Sequence, residues 1–193
     1  MNPILKLFYW IYSFSNIHLL LLIIITPAIW KIFCEFVLKK CKLSLKIWRI
    51  LCTLLLLFCV FNIFYVTIGM RNSCERIVYL TPFYSIIGMS SGAVQSSLLN
   101  VVLFEPMGML VPIVFDKESH GYDGVWKEIV LCILFSAVIE ITQYVFRLGT
   151  VEIDDVIFNT LGYAIGRGGI LGLTIVVRVF EKDDKKKGKF TSI

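Results

Sequence analysis

The sequence lacks the short motifs by which many enzymes are recognised. It contains no HExxH zinc motif and no Walker A loop, and its two histidines, His18 and His120, are isolated. The six cysteines form no CxxC pair, so no zinc site is expected. We therefore predict neither a metal nor a cofactor, and ATP-driven transport by this chain alone is disfavoured.

The sequence also has no polar stretch long enough to form a soluble domain of its own. Hydrophobic residues make up 58% of the 193 residues and charged residues only 17%. Apolar runs of about 20 residues recur, which is the length needed to cross a bilayer as a helix. The sequence predicts one all-α integral membrane domain over residues 1–193, with about five transmembrane helices. Their predicted ranges are 15–38, 48–69, 97–115, 126–147 and 155–179.

The segment near 76–92 is apolar but too short to span the membrane. We predict that it is re-entrant or lies in the interface on one side of the bundle, where protein or water must cover its backbone.

Basic residues predict the orientation. They cluster between the first two spans, from Lys39 to Arg49, and in the tail 181–193, and the net charge is +5. Because such clusters mark cytoplasmic segments, the carboxyl terminus is predicted inside and the amino terminus outside the plasma membrane. The expected partner of this positive charge is the lipid bilayer, and nucleic acid is not an expected partner.

The polar residues between positions 140 and 159 are the main functional candidates. Glu140, Gln143 and Arg147 share one face of the fourth predicted helix, and Asp155 and Asn159 share one face of the fifth. The short connection between these helices predicts that they are antiparallel neighbours, with Arg147 facing the acidic pair at 154–155. Ionisable residues at membrane depth are functional candidates by default.

Other residues in this region have predicted structural roles. Asp154 is placed to cap the fifth helix, and Gly162 with Gly166 forms a GxxxG pattern that lets another helix approach closely. Pro106 frees a backbone carbonyl within the third span, and the carboxyl group of Glu105 needs a buried partner or a proton there.

The polar residues admit three interpretations from the sequence alone. They form a binding or catalytic site, or a buried network that only fixes helix packing, or a cation site based on Asp154 and Asp155. The last is the least favoured, because adjacent aspartates point in different directions and one of them is expected to cap the helix.

The order and spacing of three elements resemble the VanZ-like family of bacterial membrane proteins. The first element comprises Arg71 and Leu80-Thr81-Pro82-Phe83, and the second is Asn100-x-x-x-Phe104-x-Pro106-x-Gly108. The third is Glu140-x-x-Gln143-x-x-x-Arg147, followed by Asp154, Asp155, Asn159, Gly162 and Gly166. Tyr79, Glu105 and Met107 depart from the family pattern.

The resemblance implies an envelope protein associated with resistance to glycopeptides, chiefly teicoplanin. Its expected ligand is a lipid-linked or cell-wall precursor or the glycopeptide itself, bound at the outer face. Glu140 and Asp155 are candidate catalytic residues, and the candidate binding residues are Arg147, Gln143, Asn100 and Asn159. The candidate structural residues are Pro82, Phe83, Phe104, Pro106, Gly108, Asp154, Gly162 and Gly166. A membrane enzyme that modifies a lipid-linked precursor and a non-catalytic binding or assembly protein remain alternatives.

Overall fold

The fold is a helical bundle, which confirms the predicted all-α class. The computed structural model describes residues 16–40, 44–73, 75–87, 91–115 and 122–190. Within them lie the helices α1 (Asn16–Lys40), α2 (Leu45–Phe64), α3 (Tyr84–Ile87), α4 (Ser91–Val114), α5 (Tyr122–Phe146) and α6 (Ile153–Phe190). Two short strands, β1 (Val78–Tyr79) and β2 (Val151–Glu152), pair in parallel.

Each predicted span overlaps one of the five long helices. By length and composition, three of the helices in the described ranges can cross a membrane: Lys46–Gly69, Gly92–Val114 and Gly124–Phe146. A shorter apolar stretch, His18–Cys34, lies within α1. That all five helices cross the membrane stays a prediction. Helix α6 continues beyond the predicted end of the fifth span and takes in most of the basic tail.

The two ends of the bundle differ in structure. One end, called the loop end here, contains residues 65–73 and 75–87, the start of α4 and the connection from α5 to α6. At the other end, called the basic end, Cys34 and Trp48 pack against Leu110 and Ile113, which joins α1 and α2 to the last turns of α4. Lys46 and Arg49, at the start of α2, therefore lie at the end opposite the 76–87 segment.

Helix α4 lies in the centre of the bundle. Over its apolar window 56% is buried, against 17% for α2 and 28% for α5, so the outer helices present most of their apolar surface outward. Phe104 of α4 packs with Ile63 of α2, Cys132 and Ile139 of α5, and Tyr163 of α6. The protein interior therefore forms around one apolar helix rather than between equal helices.

Glycines bring the backbones of α4 and α6 into contact. A Cβ atom placed at Gly162 would overlap the carbonyl oxygen of Val101, and one at Gly166 would overlap that of Glu105. Gly108 of α4 lies equally close to the carbonyl oxygen of Tyr163. Since apolar burial does not drive helices together within lipid, close backbone contact is one of the interactions that hold them together.

A line of polar side chains runs along the interface between the antiparallel helices α5 and α6. Its members are spaced four or eight positions apart: Glu128, Ser136 and Glu140 on α5, and Asp155, Asn159, Tyr163 and Arg167 on α6. We call this line the polar seam. At the end of the seam nearer the basic end, Arg167 Nε donates to Glu128 Oε2 at 2.8 Å, and both side chains are 1% exposed. The Tyr163 hydroxyl donates to the same oxygen at 3.1 Å.

Glu105 is a buried carboxyl group away from this seam. It is 1% exposed, and its main chain packs against Gly166 of α6. Within the described ranges its Oε1 atom has no hydrogen-bond partner.

Substitution of Gly162 tests the close packing of α4 against α6. We expect Gly162→Ala to lower the free energy of unfolding by about 1–3 kcal/mol, because the added methyl group overlaps the Val101 carbonyl oxygen. The matched control is Gly168→Ala, where the new Cβ meets no atom within 4 Å. Unfolding by SDS titration in mixed micelles measures both variants. Equal stability of the two would contradict the packing described.

Substitution of Glu128 tests the buried ion pair. Glu128→Gln removes the negative charge to which Arg167 donates and should cost about 3–5 kcal/mol. The double variant Glu128→Leu/Arg167→Met removes both charges and should be more stable than the single variant. The same SDS titration applies. A double variant less stable than Glu128→Gln would show that the charges themselves stabilise the bundle.

Candidate functional site

Polar side chains from three separate segments meet at the loop end. The Asn100 amide of α4 donates to Asp155 Oδ1, in the first turn of α6, at 2.7 Å. Arg71 Nη2, just beyond α2, lies 3.9 Å from Asp155 Oδ2. The side chain of Asp155 is 14% exposed and that of Arg71 is 35% exposed. This ion pair is therefore open to its surroundings rather than sealed in the bundle.

Two glutamates extend this group on the side of α5. Glu140 is buried, and its Oε2 atom accepts the backbone N–H of Glu152 at 3.1 Å. The Glu152 carboxylate in turn accepts the Thr150 hydroxyl at 2.9 Å. We call Arg71, Asn100, Glu140, Glu152 and Asp155 the polar cluster.

The backbone on both sides places Arg71. Helix α2 ends in one wide turn, Tyr65–Gly69, in which Met70 N–H donates to the Tyr65 carbonyl five residues back at 2.9 Å. Gly149, in the α5–α6 connection, has φ +134°, and a Cβ there would lie 3.0 Å from Arg71 Nη1. Glycine at this position thus provides both an unusual backbone conformation and room for the guanidinium.

The prediction that Arg147 faces the acidic pair is wrong, because Arg71 takes that place. Arg147 follows the last residue of α5 with φ +56°, in the left-handed region, and its side chain is exposed. This conformation ends the helix, so the i, i+7 relation to Glu140 no longer describes where the side chain lies. The family motif had included Arg71, but helical spacing gave no reason to bring it to Asp155.

Gln143 and Asn159 are buried near the polar cluster, where they link separate segments. The Gln143 amide donates to the Thr67 carbonyl in the wide turn at 2.9 Å, and the Asn159 amide donates to Ser136 Oγ at 2.8 Å. Their amide nitrogens thus bind α2 and α5 rather than Asp155. A direct role of either residue in ligand binding stays a prediction.

Asp154 holds the segment 77–87, which we call the strap. Its Oδ1 atom accepts the Phe83 N–H at 2.5 Å, and its Oδ2 atom accepts the Ser85 N–H at 2.9 Å and the Ser85 hydroxyl at 2.5 Å. The prediction that Asp154 caps its own helix is therefore wrong. Helix α6 begins one residue earlier, at Ile153, and the carboxylate bonds across the bundle end instead.

Phe83 has φ +60°, a strained conformation for an aromatic residue. Such strain persists only where the surroundings hold the backbone, and the bond to Asp154 does so here. Pro82 and Phe83, named from the sequence as structural residues, thus lie at the point where the strap is attached. The carboxylate that holds them is 71 residues away in the chain.

Arg76 is a residue that the sequence reasoning missed. Its Nε donates to the Tyr144 carbonyl at 3.2 Å and its Nη2 to the Val145 carbonyl at 3.4 Å, near the end of α5. Its guanidinium also lies 5.3 Å from the centroid of the Tyr144 ring. Basic groups favour helix C-termini, where carbonyls lack partners, and this was the only signal that pointed to Arg76.

Comparison with known sequences places this site in a family. Residues 47–177 match the sequence model described as VanZ/LLP1, which is more than half of the chain. The chain belongs to the VanZ/LLP1 family. The matched range includes the whole polar cluster and the whole strap, and the resemblance drawn from the motifs is confirmed.

One relative of this VanZ/LLP1 protein is Protein VanZ of Enterococcus faecium. It is 31% identical over 116 residues, which cover 60% of this chain and 62% of the relative. The alignment therefore spans less than two thirds of the relative's length. No solved structure matches the chain.

The polar cluster carries groups that can bind a charged or hydroxylated ligand. A guanidinium binds phosphate or carboxylate oxygens, and ionised carboxylates accept hydrogen bonds from hydroxyl or amine groups. Across the described ranges, no group of three or more histidine, cysteine, aspartate or glutamate residues is arranged to hold a metal ion. The described side chains thus offer one cationic and several acceptor groups on a partly open surface.

Substitution of Asp154 tests the attachment of the strap. Asp154→Asn weakens three hydrogen bonds to a buried carboxylate, each worth about 1.5–3 kcal/mol, so the strap should open more often. Hydrogen exchange at the amides of Phe83 and Ser85 should become at least about tenfold faster. The matched control Asp155→Asn changes the adjacent carboxylate and should leave both amides protected. Unchanged exchange in Asp154→Asn would refute the attachment.

Proposed function

We propose that this VanZ/LLP1 protein binds a cell-envelope component at the outer face of the plasma membrane and thereby gives tolerance to glycopeptide antibiotics of the teicoplanin type. The observation that carries the proposal is the partly open ion pair between Arg71 and Asp155, which Asn100 supports from a third segment. An ion pair that served packing alone would be expected inside the bundle, as Glu128 and Arg167 are.

The charge distribution supports the outer location. The polar cluster lies at the loop end, and the basic residues at the start of α2 lie at the other. Because basic segments stay in the cytoplasm, this arrangement favours a loop end that faces outward, with the amino terminus outside and the carboxyl terminus inside. The membership of the family supports the link to glycopeptides.

This proposal is tested by measuring the drug tolerance of a sensitive host that expresses the protein. Arg71→Ala and Asp155→Asn should each lower the inhibitory concentration of teicoplanin to near that of the empty host, because each removes one side of the ion pair. Lys127→Gln, an exposed charge on α5 toward the basic end, is the control and should keep full tolerance. Protein abundance in the membrane is measured in parallel. Full tolerance of Arg71→Ala at equal abundance would refute the proposed site.

A non-catalytic assembly role is the second candidate, and the bonds from Asp154 to the strap favour it. In that case the polar residues maintain the shape of the loop end. Arg71→Ala would then lower protein abundance and tolerance together, whereas a binding role predicts lost tolerance at normal abundance.

A further inference from the structure

The strap exposes large apolar side chains beside the polar cluster. Leu80 is 70% exposed and Ile87 is 72% exposed. Five more large side chains of the strap are also exposed, namely Ile77, Val78, Phe83, Tyr84 and Ile86. A group of exposed apolar side chains in one short segment offers a contact surface for a protein, a ligand or the membrane.

The backbone of the strap is fixed in place. Asp154 bonds to Phe83 and Ser85, and the Ser85 hydroxyl lies 3.1 Å from that of Ser97 on α4. Pairing of β1 with β2 holds its first residues, with Val151 N–H donating to the Ile77 carbonyl at 2.9 Å. The apolar side chains are therefore presented from a fixed backbone.

The anchors of the strap are direct neighbours of the polar cluster. Asp154 precedes Asp155 in α6, and Ser97 lies one turn before Asn100 in α4. Each anchoring residue thus shares a helix turn with a residue of the cluster. An apolar surface and a group of polar side chains consequently meet at one place at the loop end.

Apolar side chains of the neighbouring helix end are exposed as well. Phe64 and Met70, at the end of α2, are exposed at the same end, and α2 is the least enclosed of the three apolar helices. A molecule that already lies in the bilayer has access to the strap without crossing water. Apolar exposure on both the strap and α2 favours a lipid over a water-soluble partner as the occupant.

We propose that the strap and the polar cluster form one binding site for a membrane-resident amphiphile whose head carries phosphate and hydroxyl groups. Its apolar chain lies against Leu80 and Ile87. Arg71 binds the phosphate, as a planar guanidinium does well, and Asp155 and Asn100 bind the hydroxyl groups. The inference rests on the proposed function, because it names the chemical class of the envelope component bound at that same site.

Native mass spectrometry of the full chain in mild detergent tests the site, with phosphatidylglycerol and glycerol 3-phosphate as probes. We expect phosphatidylglycerol to be retained and glycerol 3-phosphate, which has the head without the chain, not to be. Leu80→Ser/Ile87→Ser and Arg71→Ala should each weaken retention about tenfold or more. The control Leu57→Ser, at a 61% exposed position of α2, should bind as the unaltered protein does.

The outcomes separate this inference from the proposed function. Equal lipid retention by Leu80→Ser/Ile87→Ser and the control, or retention of glycerol 3-phosphate alone, overturns the inference. So does retention that depends on the strap but not on Arg71, because the two would then not form one site.

Teicoplanin tolerance is measured in the same variants. Tolerance that depends on Arg71 but not on the strap leaves the proposed function standing and refutes the lipid site. Lipid retention lost in Arg71→Ala with tolerance kept refutes the function and leaves the site.

Discussion

The contact between the backbones of α4 and α6 is the constraint on which the rest of the structure depends. In lipid, an apolar surface gains little by leaving the solvent, so helices associate where small residues let their backbones meet. Gly162 and Gly166 provide that contact against Val101 and Glu105. Toward the loop end, Asn100 directly precedes Val101 and donates to Asp155 at the start of α6. The packing of two glycines therefore determines the geometry of the candidate site.

The polar seam constrains α6 from its other side. Apolar side chains that face lipid do not distinguish one rotation of a helix from another, but hydrogen bonds do. A rotation of α6 by one residue would separate Asn159 from Ser136 and Arg167 from Glu128 at the same time. A buried ion pair is weak evidence for stability, and its best-attested role is to select one arrangement among several. Here it selects the rotation that directs Asp155 toward Arg71.

The sequence was sufficient to predict the helices and half of the site. Apolar runs and their spacing gave the long helices, and the i, i+4 pattern gave the buried faces of α5 and α6.

The sequence was insufficient where the chain leaves regular structure. Arg147 lies beyond the last helical residue in a left-handed conformation, so helical spacing assigned it a direction that it does not have. Asp154 matched the capping rule, yet its carboxylate bonds to Phe83 and Ser85, which are 71 and 69 positions away, and no local pattern encodes those contacts. Arg71 was not predicted as the partner of Asp155, because its position depends jointly on the wide turn after α2 and on Gly149 in the α5–α6 connection.

The wide turn at Tyr65–Gly69 has a consequence for how this region can change in evolution. A turn with one extra residue directs the next residues of the chain about 100° away from where a regular helix would direct them. The direction of Arg71 is thus fixed by how many residues the turn contains, and much less by which residues they are. Point substitutions in the turn preserve that number, whereas an insertion or a deletion of a single residue alters it. Among homologous chains, the length of this stretch should therefore vary less than its composition.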